Sequence, residues 1–124
     1  MNYENLPVYK ATFDLLIYVY RYTVKIQREY RYTLAEEMKR TLQEVLMEIY
    51  RANIVRDKAD HISRARQELV RVRVHFRLMR ELKLLSLKQC VMITESIADI
   101  SKQLTAWEKH VTSVTKLPHD ANVR

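Results

Sequence analysis

Residues 62–83 read ISRARQELVRVRVHFRLMRELK. Within them Ile62, Ala65, Leu69, Val72, Phe76 and Met79 are apolar at alternating steps of three and four, without error. That spacing keeps one side chain per turn on a single stripe of an α-helix, whereas a half-buried strand needs a step of two. Nothing in the stretch is glycine or proline, so nothing in it interrupts a helix. It therefore reads as one long helix with a single face for a core. Its other faces are crowded with charge: seven basic residues stand against two acids, Glu68 and Glu81.

The same economy extends outward. The whole chain of 124 residues has no glycine, and its two prolines, Pro7 and Pro118, lie near the ends. Sharp turns, phosphate-cradling loops and strand punctuation use those residues, so most loop-based chemistry is excluded at the outset. Upstream, Pro7 suits the first turn of a helix running to about Lys25. In that helix Tyr9, Phe13, Leu16, Tyr20 and Val24 form one stripe, while Val8, Leu15, Tyr18, Val19, Tyr22 and Ile26 cover much of the rest. A helix apolar nearly all round must be buried on more than one side, and the excess argues for contacts between subunits. After a polar connector, Gln27 to Tyr32, the run Thr33-Leu34-Ala35-Glu36 has the form of a capping box. It would open a second helix to about Asn53, with a seam of Leu34, Met38, Leu42 (or Thr41), Val45, Ile49 and Ala52. The charged break Ile54 to Asp60 offers Asp57 or Asp60 as a cap for the third helix. Beyond the break at Leu84-Leu85-Ser86, Ser86 with Gln89 makes another capping box. A fourth seam follows: Cys90, Ile93, Ile97, Ile100, Leu104, Trp107 and Val111.

Helices of about 20–24 residues are about 30–36 Å long at 1.5 Å per residue, and short connections favour antiparallel neighbours. The expected fold is all-α: an antiparallel up-down-up-down four-helix bundle over residues 1–112, with 113–124 as a frayed tail. A long coiled coil is the alternative, and the separate capping signals argue against one continuous rod. The longest apolar run of the first helix, Leu15 to Tyr20, is bracketed by Asp14 and Arg21, far short of the ~20 residues that cross a bilayer. No membrane partner is expected. The start of the chain lacks the pattern of a signal peptide, and a lone cysteine, Cys90, fits a reducing cytoplasm.

The net charge of +7 favours polyanion partners. In the third helix Arg66, Arg73 and Arg80 recur every seven residues beside the seam, with Arg77 on the same side, and Arg64 and Arg71 form a neighbouring row. The planar guanidinium fork suits phosphate. Such rows can track a nucleic-acid backbone; they can also be a solvated face whose long stems cover the core edge. A second basic cluster, Arg28, Arg31, Lys39 and Arg40, is interleaved with Tyr30 and Tyr32. These tyrosines can stack on unpaired bases or pack the connector onto the bundle end. Glu44 and Glu48, near Arg40 and Arg51, read as surface ion-pair partners. His61, His75, His110 and His119 are scattered without metal-ligand spacing, so neither a metal nor a cofactor is expected. Cys90 reads as a small core residue. Arg56 and His61 have the spacing used by helical ribonucleases of the HEPN type, but they fall in a predicted break between helices.

Four segments carry a family resemblance: Leu6-Pro7-Val8-Tyr9-Lys10, Arg28-Glu29-Tyr30-Arg31-Tyr32-Thr33-Leu34, Ser86-Leu87-Lys88-Gln89 and Ser101-Lys102-Gln103-Leu104-Thr105-Ala106-Trp107-Glu108-Lys109. In this order and spacing, from Leu6 to Lys109, the chain resembles the four-helix-bundle family that includes the accessory variability determinant (Avd) of diversity-generating retroelements. The same superfamily contains proteins encoded in intervening sequences of ribosomal RNA genes. Family members often have glycine where this chain has Ala35, a change a helix tolerates well. The resemblance implies a cytoplasmic, non-enzymatic protein assembled as a ring-like homopentamer. It implies as partners the element's reverse transcriptase and its RNA template or an RNA/DNA hybrid. The Gln103-to-Trp107 segment points to the retroelement branch; a ribosomal-intervening-sequence type or a purely protein-binding bundle is the alternative.

Overall fold

Where the sequence carries an apolar seam at helical spacing, the backbone is helical. The computed structural model describes residues 6–123, with side chains described through Val114. The first element, α1, is Pro7–Tyr22. Leu6 precedes it in extended conformation, and Pro7 occupies the first turn, where its missing N–H costs nothing. The helix stops three residues earlier than expected. At its end the Thr23 hydroxyl donates to the Val19 carbonyl at 2.7 Å and the Thr23 N–H donates to the same oxygen at 3.1 Å.

The buried face of α1 also differs from the expected stripe. Val8, Thr12, Leu15, Leu16 and Val19 are buried, and Thr23 and Ile26 continue the line. Phe13, Tyr20 and Val24 are exposed. The reason lies in Thr12 and Thr23. Each hydroxyl is satisfied by the carbonyl four residues back, Thr12 on Val8 at 2.8 Å. A threonine so paired presents only its methyl group and serves as a seam residue.

The second long helix starts earlier than the sequence suggests. It is assembled from α2 (Arg28–Tyr30), a π-helical turn (Arg31–Ala35) and α3 (Glu36–Ile54). The expected box at Thr33 and Glu36 does not form. Chain already coiled from Arg28 supplies Thr33 with an acceptor behind it, the Glu29 carbonyl at 2.6 Å, so the hydroxyl points backward instead of forward. The seam matches: Met38, Thr41, Leu42, Val45, Ile49 and Ala52 are buried and Leu34 is half-buried.

The next connector is closed by a lysine. Lys58 Nζ donates to the carbonyls of Ala52 and Val55 at 2.8 Å and of Asn53 at 3.4 Å. It thereby caps the end of α3, where carbonyls lack partners and a cation is favoured. α4 is Ala59–Glu81, preceded by Lys58 and without a side-chain cap; Asp57 and Asp60 are exposed and do not serve that role. Its six seam residues, Ile62 to Met79, are all buried as the spacing requires. At its far end Lys83 adopts a positive φ of 58°. The Lys83 N–H bonds Arg80 O at 2.9 Å and the Leu84 N–H bonds Met79 O at 3.0 Å. This is a Schellman closure, in which glycine is usual. A glycine-free chain uses lysine there.

α5 is Leu87–Val123. It opens with the expected capping box: the Gln89 N–H donates to Ser86 Oγ at 3.2 Å and the Ser86 N–H to Gln89 Oε1 at 2.9 Å. Ile93, Ile97, Ile100 and Leu104 are buried, while Cys90 and Trp107 are half-buried against the same core. Helical backbone continues across the expected tail as far as Val123, and the described side chains there, Ser113 and Val114, are exposed.

α3 packs on α4, α4 on α5, and α1 on both α3 and α5, so the four long helices close around one core. At about 1.5–3 kcal/mol per buried aliphatic side chain, residues such as Met38, Leu42, Ile49, Ile62 and Ile100 dominate the stability. The fold of the described residues is a four-helix bundle with no strand. No described helix is long and apolar enough to cross a membrane. Two apolar rows are left facing out: Phe13, Ile17 and Tyr20 along α1 with Val24 just beyond its end, and Val70, Val74 and Leu78 along α4.

Candidate nucleic-acid interface

Burying the seam of α4 dictates where its arginines go. A residue one position after a seam residue lies on one flank of the helix, and a residue one position before lies on the other. Arg66, Arg73, Arg77 and Arg80 follow seam residues; Arg64 and Arg71 precede them. All six are exposed. They form two rows flanking α4 rather than one stripe, and partners identify which neighbour each row approaches.

The first row runs along the α5 side. Arg66 Nη1 pairs with Glu108 Oε1 of α5. Arg80 lies 5.6 Å from the centre of the Phe76 ring, in cation–π range. Among the described residues, Arg73 and Arg77 have no carboxylate within ion-pair distance. Between α4 and α5 lies an open groove of about 260 Å³, lined by Ser63, Arg66, Gln67, Leu69, Val70, Arg73 and Ser101. Two guanidinium groups, two hydroxyls and an amide thus border one concavity, the donor set an anion requires. Ser63, Gln67, Ser101 and Glu108 are not among the site residues the sequence points to. Their only signal is indirect: 63 and 67 are one turn apart beside the seam, and pairing of α4 with α5 must be known before 101 and 108 can join them.

The second row runs along the α3 side. Arg71 Nε is 3.7 Å from Glu68. His75, one turn on, is half-buried, and its Nδ1 is buried without a partner. Burial first, then the charges of Arg71 and Arg40, hold its pKa below the ordinary imidazole value of 6.5. Arg40 belongs to α3, so charges from both basic clusters seen in the sequence act on this imidazole. Arg40 is exposed and pairs with Glu37.

The rest of the second cluster divides by task. Arg28 is exposed, with its guanidinium carbon 6.0 Å from the centre of the Tyr32 ring. Arg31 is half-buried; its Nη1 donates to Val24 O at 2.8 Å, and it lies 5.1 Å from the same ring. Lys39 pairs with Glu36 at 3.0 Å and sits 4.5 Å from the Tyr20 ring. Tyr30 packs against the core, whereas Tyr32 points outward.

Glu48 is not the surface carboxylate the sequence suggests. It is only 8% exposed, pairs with Arg51 at 3.4 Å, and bonds His61 Nδ1 at 2.8 Å. His61, in the first turn of α4, therefore ties α4 to α3, while Arg56 is exposed in the connector before it. Among the described residues no three His, Cys, Asp or Glu side chains gather as a metal site would need.

Comparison with curated proteins returns no match for the chain. The family described as bAvd-like matches residues 8–111, which is the bundle from α1 through the described core of α5. With most of its length inside that match, the chain belongs to the bAvd-like family.

Proposed function

We propose that the chain is a non-enzymatic accessory protein of a diversity-generating retroelement. It binds nucleic acid, RNA template or an RNA/DNA hybrid, together with the element's reverse transcriptase, and supports mutagenic copying of a template repeat. Catalysis belongs to the polymerase. The observation that carries the reading is the exposed arginine set of α4, with Arg73 and Arg77 free of carboxylate partners among the described residues. Membership of the bAvd-like family supports it.

In this reading Arg66, Arg73, Arg77 and Arg80 supply most of the phosphate attraction, with Arg64 and Arg71 in the other row and Arg28, Arg31 and Arg40 at the connector end. The bundle is antiparallel, up-down-up-down, with residues 1–112 as the working domain and 113–124 as a tail. Copies assemble as a homopentameric ring in the cytoplasm. The outward apolar rows, Phe13 to Val24 and Val70 to Leu78, support such contacts, because apolar surface in contiguous rows is unfavourable when left in water. Symmetry would repeat the arginine rows, so weak sites on several subunits act together.

Co-purification tests the partner: the chain should retain the reverse transcriptase and a structured RNA. Light scattering tests the ring, and a monomer at micromolar concentration would refute it. Retention of neither the enzyme nor the RNA would refute the accessory role.

A further inference from the structure

The connector before α3 is built at some cost to the fold. Its π-helical turn, Arg31–Ala35, is a rare conformation, and such turns recur at functional sites. Arg31 Nε is buried there without a partner. Tyr32, the second residue of the turn, is 64% exposed, although Tyr30 two residues earlier is packed against the core. The outward ring is not idle surface. Arg28 lies 6.0 Å from its centre and Arg31 5.1 Å. Arg31 is itself anchored on Val24 O at 2.8 Å, so one of the flanking cations is fixed in place.

We propose that Tyr32, with the Arg28 and Arg31 guanidinium groups over its ring, is a stacking platform for an unpaired nucleotide base. The inference rests on the nucleic-acid reading above and names the part of the nucleic acid that meets the connector end: single-stranded segments, not duplex. Both guanidinium groups lie over the ring in the free chain; an incoming base stacks on this ring-and-guanidinium platform, whose flat faces accept any base, while the free N–H groups take the adjoining phosphates. Bases in a duplex are already stacked on one another and offer no face. The charge around the ring selects a polyanion: from residue 21 to 32, Arg21, Lys25, Arg28 and Arg31 stand against a single acid, Glu29. A folded protein partner would meet the same charge but would have no row of flat faces at the spacing of its anions.

The test uses the full chain, a 20-nucleotide unstructured oligouridine, an RNA duplex of equal length, and an oligomer with abasic positions. Affinities are compared at one fixed salt concentration. Tyr32→Ala should weaken oligouridine about tenfold and leave the duplex within about twofold, consistent with the worth of one stacked base. Tyr32→Phe should retain wild-type affinity, since it keeps the ring. The abasic oligomer should bind wild type and Tyr32→Ala alike. Equal losses on single strand and duplex, or no loss on either, overturn the proposal. Wild-type chain that binds none of the three would overturn the nucleic-acid reading itself, a result distinct from a failure of Tyr32 alone. Since Tyr32 is exposed, both variants should fold, and a helical circular-dichroism spectrum with unchanged Tm verifies it.

Discussion

Arg66 of α4 is tied across the groove to Glu108 of α5, whereas Arg73, two turns along the same row, meets no described carboxylate. One arginine of the row is thus partly neutralised in the free protein. An exposed pair of this kind is worth only about 0.2–1 kcal/mol, so it can be exchanged for a phosphate. Glu108→Gln should raise polyanion affinity about two- to fivefold at low salt, with little change in Tm. Fluorescence anisotropy with labelled RNA measures it. A loss of affinity would place Glu108 among the groups that help binding and contradict the exchange.

Lys83 occupies a left-handed backbone position, φ 58°, at the Schellman closure of α4. A side chain there crowds the following carbonyl, at a cost of about 1 kcal/mol that glycine avoids. Lys83→Gly should therefore stabilise the chain by about 1 kcal/mol in urea unfolding, even though it adds unfolded-state entropy. Lys83→Val should destabilise it, because a β-branched residue fits that region worst.

Glu48 is buried and holds both His61 and Arg51. Removing it leaves the imidazole at the start of α4 without its partner. Glu48→Ala should cost about 1–3 kcal/mol, and Glu48→Gln should cost less because it still accepts a hydrogen bond. Denaturant midpoints at constant slope decide between the two. An unchanged midpoint for Glu48→Ala would show that the buried pair contributes nothing.

His75 gives the fold an acid-sensitive point. Burial, then Arg71 and Arg40, hold its pKa below 6.5 in the folded chain, while the unfolded imidazole keeps the ordinary value. Between those two values the unfolded state binds more protons, so stability rises with pH through the window. The contribution is fully present above 6.5 and is lost as pH falls toward the folded value. His75→Leu should flatten this acid-side loss. Comparing midpoints at pH 7.5 and 5.5 checks it; an equal drop in wild type and variant would assign the loss to other groups.

How far the sequence reached is clearest in single residues. The seam of α4 from Ile62 to Met79 was fully legible, because apolar spacing and helix geometry admit one solution. Ser86 and Gln89 were legible for the same reason: a capping box is a local device read within four residues. The seam of α1 is hidden in the sequence because Thr12 and Thr23 count as polar until their hydroxyls are seen on the carbonyls of Val8 and Val19. The box at Thr33 failed because the connector was already coiled, which no residue within it announces. For the candidate site, the exposure of the six α4 arginines followed from the seam. That Glu108 reaches Arg66, and that Arg40 bears on His75, depends on which helices adjoin, and pairings of that range leave no local trace.

The phosphate-binding role of α4 is tested most directly by RNA affinity as a function of salt, measured for wild type and for Arg73→Glu with Arg77→Glu. Wild-type affinity should fall linearly on logarithmic axes, with a slope of about −0.7 to −0.9 for each phosphate contacted. The double reversal should weaken binding at least tenfold and make the slope shallower by about two such contacts. A flat wild-type profile, or two superimposable lines, would contradict a polyanion-binding α4.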